Sequence, residues 1–201
     1  EKKWQKKWEE KKAFEPEVDR HKPKFFFTTP YPYVSGSLHL GQGRAVTESD
    51  IYSRYMRMKG FNVLYPMAFH ITGTPVLGIA SAIKNKDKEK TKLYEEYVSA
   101  YVKDKKKVKS IVQSFYDPNN IVKFFMPKMI GEYKQLGLSV DWRRSFTSGD
   151  FEHQEMVKWQ FHNYKDNDYL IKEKYPVIYS IKDESAMGED DIQDADSNPV
   201  E

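Results

Sequence analysis

The spacing of apolar positions changes along the chain, and the changes mark out elements. Trp4 and Trp8 stand four apart in the charged run 1–13, which puts both on one face of a short helix. Phe25 to Thr29 is a compact apolar run bounded by prolines and predicts a buried strand. Thr47, Ile51, Tyr55 and Met58 then recur at helical spacing, and Gly60 stands where a C-terminal cap belongs. Phe61 to Tyr65 predicts a second strand, stopped by Pro66. Strand, glycine-bearing loop, helix and strand in this order make a βαβ unit, so the two strands are expected to be parallel.

Further along, residues 84–115 are strongly charged and read as helical, an insertion or a peripheral layer. Ile121, Phe124, Phe125, Ile130, Tyr133 and Leu136 predict more helix, kinked or divided by Pro127. Val140-Asp141-Trp142 predicts a short extended piece or turn. Asp150 is a good N-cap for a helix over about 151–163, with Glu152 in its first turn and Met156, Trp159 and Asn163 along one side. There is no internal repeat and no low-complexity linker.

Composition narrows the class. The chain has 201 residues, 39% hydrophobic and 15% aromatic, which describes a globular protein. No apolar run reaches membrane-spanning length and the first residues have no signal-peptide core, so no membrane partner is expected. The absence of cysteine excludes disulfides and thiolate metal sites and fits a cytoplasmic protein. The chain does not start with Met, so it is expected to be processed or incomplete. Net charge is only +3, but lysines crowd the stretch from Lys84 to Lys109. Such a patch could meet nucleic-acid phosphates; a solvated helical surface is the favoured reading. The stretch 183–201 carries eight acidic residues and no Lys or Arg, and is expected to stay exposed as a connection.

Candidate chemistry concentrates after the first predicted strand, in Pro32, Tyr33, Val34, Ser35, Gly36, Ser37, Leu38, His39, Leu40, Gly41, Gln42 and Gly43. In a parallel α/β sheet, ligands bind beyond the carboxyl ends of the strands. Backbone N–H groups at the start of a helix favour phosphate, and glycines let a ligand approach the backbone. His39 at the loop exit could donate to a phosphoryl oxygen. The pattern is neither a Walker loop nor G-x-G-x-x-G, so by itself it is a turn as readily as a phosphate cradle.

The longer context resembles a known family. Pro32 to Gln42 resembles the His-Ile-Gly-His signature region of class I aminoacyl-tRNA synthetases, and Tyr31 to Gly41 is similar to its leucyl members. Pro66-Met67-Ala68-Phe69-His70-Ile71-Thr72-Gly73-Thr74-Pro75-Val76 is similar to the corresponding segment of archaeal and eukaryotic cytosolic leucyl enzymes. Asp117 to Val122, Gly137 to Arg144 and Gly188 to Ile192 resemble later blocks of the family, in order. Two departures stand out. Gln42 replaces the second His of the signature, and the Lys-Met-Ser-Lys-Ser loop is absent.

The resemblance implies a Rossmann-like parallel α/β half-domain with peripheral helices. Residues 1–24 would be an N-terminal helix and lead-in, and 25–182 the first half of a catalytic domain with a Lys-rich helical insertion at about 84–115. Residues 183–201 would be an acidic connection towards an editing domain. The implied reaction is ATP-dependent activation of leucine to leucyl-adenylate with Mg²⁺, followed by transfer to tRNA(Leu). The rest of the same polypeptide would supply the second catalytic half. By the same resemblance His39 would stabilise charge on the phosphates, with Gln42 assisting, and Gly36, Gly41 and Gly43 would shape the cradle. Tyr31, Pro32, Tyr33, His70 and Thr72 would line the amino-acid site.

Three of these readings stay open in the sequence. Tyr31 is a wall of the site or plain core. His70 is either a neutral contact to the substrate ammonium, because a protonated ring would repel it, or a histidine satisfied by nearby backbone. Asp141 to Arg144 are read as structural, with Trp142 packed and the charges capping or pairing; Arg144 could instead face tRNA. His153 and His162 match no metal-ligand spacing and are read as ordinary helical residues. A leucine pocket discriminates similar aliphatic side chains by only about 1–3 kcal/mol, so the family needs editing, which this chain is not expected to perform. The rival reading is a non-catalytic module that binds ATP or tRNA.

Overall fold

The computed structural model describes residues 1–181 and 185–186. The block Gly188 to Ile192 and most of the acidic stretch lie outside the described residues. In chain order the elements are α1 (Lys2–Glu10), β1 (Lys24–Phe26), α2 (Leu40–Met58), β2 (Asn62–Leu64), β3 (Ala68–Phe69), α3 (Thr74–Lys84), α4 (Lys88–Ser99), α5 (Lys105–Ser114) and α6 (Pro118–Leu136). A 3₁₀ turn (Trp142–Arg144), β4 (Phe146–Thr147), α7 (Phe151–Asp166) and the pair β5 (Tyr179–Ser180) and β6 (Ser185–Ala186) follow.

The expected βαβ unit is present, but β1 is not the buried strand expected: Phe26 is exposed and Phe25 only half-buried. β1 and β2 are parallel, with Phe25 opposite Val63, and α2 makes the crossover. β3 pairs in parallel with β4, Ala68 opposite Phe146. Residues 62–71 act as one spine interrupted at Pro66, because their backbone groups alternate in direction. Asn62 N–H donates to Pro23, Leu64 C=O accepts from Phe27, and His70 bonds Pro32 and Val34, all on the β1 side. Tyr65 C=O accepts from Asp141 and Phe69 C=O from Ser148, on the other side. The spine is therefore a central parallel strand, with the β1 loop along one edge and residues 141–148 along the other.

Helices α3 to α6 cover this spine. Phe115, Ile121, Phe125, Met129 and Tyr133 are fully buried, and Tyr133 lies 6.4 Å from Phe69 between ring centroids. The charged stretch 84–115 is less peripheral than its composition suggests. Its lysines are exposed, but Tyr94, Val98, Val108 and Val112 enter the core. Helix α3 was not marked by the apolar pattern. It starts at a Gly73 with φ of 101°, a conformation in which glycine is unstrained, followed by Thr74-Pro75 with proline in the first turn.

Three further sequence expectations are corrected. The apolar row Thr47, Ile51, Tyr55 and Met58 on α2 faces outward; the buried side is Val46, Ser49, Asp50 and Ser53. This helix docks through polar bonds. Asp50 accepts from the Ser139 N–H at 2.5 Å and from Arg54 at 2.7 Å, and Arg54 reaches the Gly137 carbonyl at 2.6 Å. Pro127 does not divide α6, which runs unbroken through it. The cost of one missing N–H is met by the buried side chains of Phe125 and Met129 on either side. Helix α7 forms as expected but buries none of its residues, and Met156 and Trp159 are exposed. Asp150 does precede it, but its carboxylate turns back to the Thr147 N–H (2.9 Å) and hydroxyl (2.6 Å) rather than onto the helix.

Asp141 has the structural role expected of it. It is fully buried, caps the 3₁₀ turn through the Arg143 N–H, and pairs with the guanidinium groups of Arg143 and Arg144. Burial pushes its carboxyl up, but the hydrogen bonds from Arg143 and Arg144 outweigh this and hold it below the usual carboxylate range. Trp142 packs against the core. The same arginines reach Pro16 and Glu17 and so tie the lead-in segment down. Arg54, over the rings of Trp8 (4.8 Å) and Phe14 (4.9 Å), does the same for α1.

Candidate functional site

The loop from Phe27 to His39 leaves the carboxyl end of β1 and delivers the chain to the start of α2. Its middle is fastened to the spine. His70 N–H donates to the Pro32 carbonyl (2.9 Å) and Val34 N–H to the His70 carbonyl (3.1 Å), a parallel bridge that sets Tyr33 opposite His70. The two rings touch, with centroids 4.4 Å apart and planes at 40°. Two residues singled out separately in the sequence thus form one wall. Nδ1 of His70 is buried and has no hydrogen-bond partner within the protein, so the backbone does not satisfy it. A buried ring nitrogen left open is unfavourable unless a ligand or water completes it.

The remaining residues of that predicted wall are placed differently. Tyr31 packs edge-on against Phe146 of β4, at 5.2 Å between centroids. The Thr72 hydroxyl meets the Ser148 hydroxyl at 3.0 Å, and Ser148 Oγ also accepts from the backbone N–H of Ile71 (2.9 Å) and Thr72 (3.3 Å). Ser148 is buried and braces the strand end that carries His70. The sequence around it, Thr147-Ser148-Gly149-Asp150, carries no signal beyond an ordinary turn. Val34 is fully buried and Leu38 packs on the core, so these two anchor the loop.

The far end of the loop is the N-terminus of α2. His39 is its N-cap, and the helix begins at Leu40, so Gly41, Gln42 and Gly43 occupy the first turn rather than the loop. His39 Nδ1 accepts from the Gln42 N–H at 3.4 Å, while Gln42 Oε1 accepts from the His39 N–H at 3.2 Å. This is a capping box with His in place of the usual Ser or Thr. It fixes the chemistry of the ring. A nitrogen that accepts carries no proton, so Nδ1 is bare and Nε2 holds the N–H. The outward atom of the ring, Nε2, is then the one that can donate.

The glycines have distinct duties. A Cβ on Gly41 would come within 3.2 Å of His39 Cε1 and Nδ1, so Gly41 makes room for the capped ring. Around Gly43 there is nothing within 4 Å of where a Cβ would lie, which leaves the first turn open to an approaching group. A Cβ on Gly36 would stand 3.3 Å from the ring of Tyr97. The first turn of α2 holds no acidic residue, so the positive end of the helix dipole is uncancelled there. An anion at this point would meet free N–H groups, an Nε2–H donor and a bare glycine. Among the described residues no group of three or more His, Cys, Asp or Glu is arranged to hold a metal ion, and no helix is long and apolar enough to cross a membrane.

Known proteins match this sequence over nearly the whole chain. Residues 3–199 match the model of the tRNA synthetases class I (I, L, M and V). The chain is 45% identical over 199 residues to a leucine–tRNA ligase of Staphylothermus marinus, covering 99% of the chain and 20% of that protein. It is 45% identical over 198 residues to the leucine–tRNA ligase of Thermoplasma volcanium, covering 98% and 21%. It thus spans about a fifth of the length of these relatives. Among solved structures it resembles the Agrobacterium radiobacter K84 LeuRS in a ternary complex with tRNA and LeuAMS, with a TM-score of 0.59 and 20% identity. That likeness covers 92% of this chain and 19% of the other, and it is one of fold. With the sequence model spanning almost every residue and the α/β fold shared, the chain belongs to the class I tRNA synthetases of the I, L, M and V group.

Proposed function

We propose that this chain is the first part of the catalytic region of a leucine–tRNA ligase, which activates leucine with ATP and passes it to tRNA(Leu). The relatives named above support the leucine assignment, and the remainder of the polypeptide would complete the site. A cytoplasmic location goes with this reading. His70 carries it. Its Nδ1, held against Tyr33 at the carboxyl end of the central strand and without a partner in the protein, would accept from a substrate ammonium that reaches it. The aromatic face of Tyr33 suits the aliphatic side chain beside it.

ATP would lie along the loop towards α2. The leucine carboxylate attacks the α-phosphate, and pyrophosphate leaves. Negative charge gathers on the phosphoryl oxygens, where the Nε2–H of His39 and the first-turn N–H groups of α2 can receive it. Gln42 acts indirectly, because its side-chain oxygen is used to cap His39. Mg²⁺ is commonly held through substrate phosphates, and here it would arrive with the ATP as part of the substrate.

The test is a calorimetric titration of the intact protein with a non-hydrolysable leucyl-adenylate analogue, beside His39→Ala. Saturable binding that weakens about tenfold or more in the variant is the expected result, the value of one charge-assisted hydrogen bond. The exposed lysines of α4 and α5 favour a second reading, a nucleic-acid-binding module. It predicts salt-sensitive RNA binding indifferent to His39, with no affinity for the analogue.

A further inference from the structure

Helix α4 belongs by composition to the charged surface, yet its inner side is where the signature loop rests. Tyr94 and Tyr97 lie three apart on α4, and Tyr101 follows four residues later, just beyond its end, so the three fall along one side. The Tyr94 hydroxyl donates to the Ser35 carbonyl at 2.5 Å. Its ring is buried and held edge-on by Phe115 (6.1 Å) and Phe125 (6.2 Å), so the hydroxyl cannot swing away. Burial also pushes the phenol up, which keeps it protonated and a donor. The Tyr97 ring packs edge-on against Tyr94 at 5.4 Å and fills the space a side chain on Gly36 would need. Tyr101 in turn donates to Glu132 of α6 at 2.5 Å.

We propose that Tyr94 and Tyr97 are positioning residues for the nucleotide. They form a bed that fixes the Ser35–Ser37 turn, and the turn sets where His39 and the α2 N-terminus stand. This rests on the reading of that loop as the ATP cradle. It explains why the loop needs glycine at 36 in a place without a positive φ: the constraint is the tyrosine beneath it, not the backbone. It also gives the Lys-rich region a role in the site that its surface charge does not suggest. Tyr94 touches no reacting atom in this scheme and acts only through the loop.

The experiment compares Tyr94→Phe with Val98→Ala in the intact protein. The first keeps the ring and removes one hydrogen bond; the second opens a cavity at a fully buried position on the same helix. Amide hydrogen exchange is read across residues 33–40 and across α6, and affinity is read with the leucyl-adenylate analogue. Tyr94→Phe should speed exchange in 33–40 alone and weaken the analogue about 2- to 10-fold, the worth of one neutral hydrogen bond. Val98→Ala should speed exchange in α6 without singling out the loop. Loop exchange unchanged in Tyr94→Phe, or loosened equally by Val98→Ala, overturns the proposal. So does a loosened loop whose analogue affinity is unaltered. If the wild-type protein binds no analogue, the ATP reading fails by that fact alone, whatever the exchange shows of Tyr94.

Discussion

Replacing Gly41 by alanine separates stability from binding, because the two should respond in different ways. The new methyl would stand 3.2 Å from Cε1 and Nδ1 of the His39 ring. His39 is exposed, so the ring can move aside, but the bond from the Gln42 N–H to Nδ1 then goes. Losing that cap costs about 0.5–1 kcal/mol. Alanine in place of glycine in a helix returns about 0.5–1 kcal/mol. The two nearly cancel, and the melting temperature should move by no more than about 2 °C in either direction. Binding has no such offset. On the proposed reading a displaced ring no longer aims Nε2–H at the phosphates, and a hydrogen bond to a charged group is worth about 1.5–3 kcal/mol. The leucyl-adenylate analogue should therefore bind about 10- to 150-fold more weakly. Thermal unfolding and calorimetric titration of the same preparation read both quantities. Unchanged affinity in Gly41→Ala, with His39→Ala weak in parallel, would show that the placement of the ring does not matter and would refute the reasoning. Gly43→Ala is the companion: with nothing within 4 Å it should stabilise by about 0.5–1 kcal/mol, and lose affinity only if phosphate approaches that backbone.

Asp141→Asn should destabilise by about 1–3 kcal/mol at neutral pH, since two guanidinium groups lose their buried counter-charge. The Asp141 carboxyl is depressed in the folded state, so its contribution is full above the unfolded value of about 3.9 and fades as pH falls through the lower folded value. The stability gap between wild type and variant, followed by urea unfolding, should narrow below about pH 4; a constant gap down to pH 2 would contradict it. Arg54→Ala removes the bonds to Asp50 and Gly137 and the cation over Trp8 and Phe14, a loss of about 2–3 kcal/mol. It should free the N-terminal segment, seen as faster tryptic cleavage between Lys11 and Lys24; an unchanged cleavage rate would mean that α1 is held elsewhere.

The parallel β1–α2–β2 unit was legible because its signals are local: an apolar run, glycines, a helical repeat and a second run ended by proline. The outward side of α2 was misread for a physical reason. Hydrophobic periodicity finds the buried face only when burial is apolar, and here Asp50 and Arg54 dock the helix by hydrogen bonds to residues 137–139. On α7 there is no buried face for a pattern to find, since its apolar residues remain exposed in this chain. At the site, the resemblance put Tyr33 and His70 in one amino-acid site but gave no contact between them, because their pairing depends on the register of a parallel bridge. The capping box of His39 and Gln42 spans four residues and could have been read directly, had His been considered beside Ser and Thr as a cap. Tyr94 and Ser148 left no trace, since each acts through a backbone carbonyl or N–H on a distant segment.

The bracing of His70 by Ser148 has a consequence for how the chain is made. Ile71 and Ser148 are 77 residues apart, and the four helices α3 to α6 lie between them. The wall at Tyr33 and His70 closes over a much shorter loop and can form early during synthesis. Its brace cannot form until residue 148 has emerged and the intervening helices have brought it back, a closure that is slow on contact-order grounds. The nascent chain thus passes through an interval in which the β1–α2–β2 unit is built but the end of β3 is unsupported. Substitutions that slow the collapse of α3 to α6 should lengthen that interval and expose the apolar strand edge to capture by chaperones.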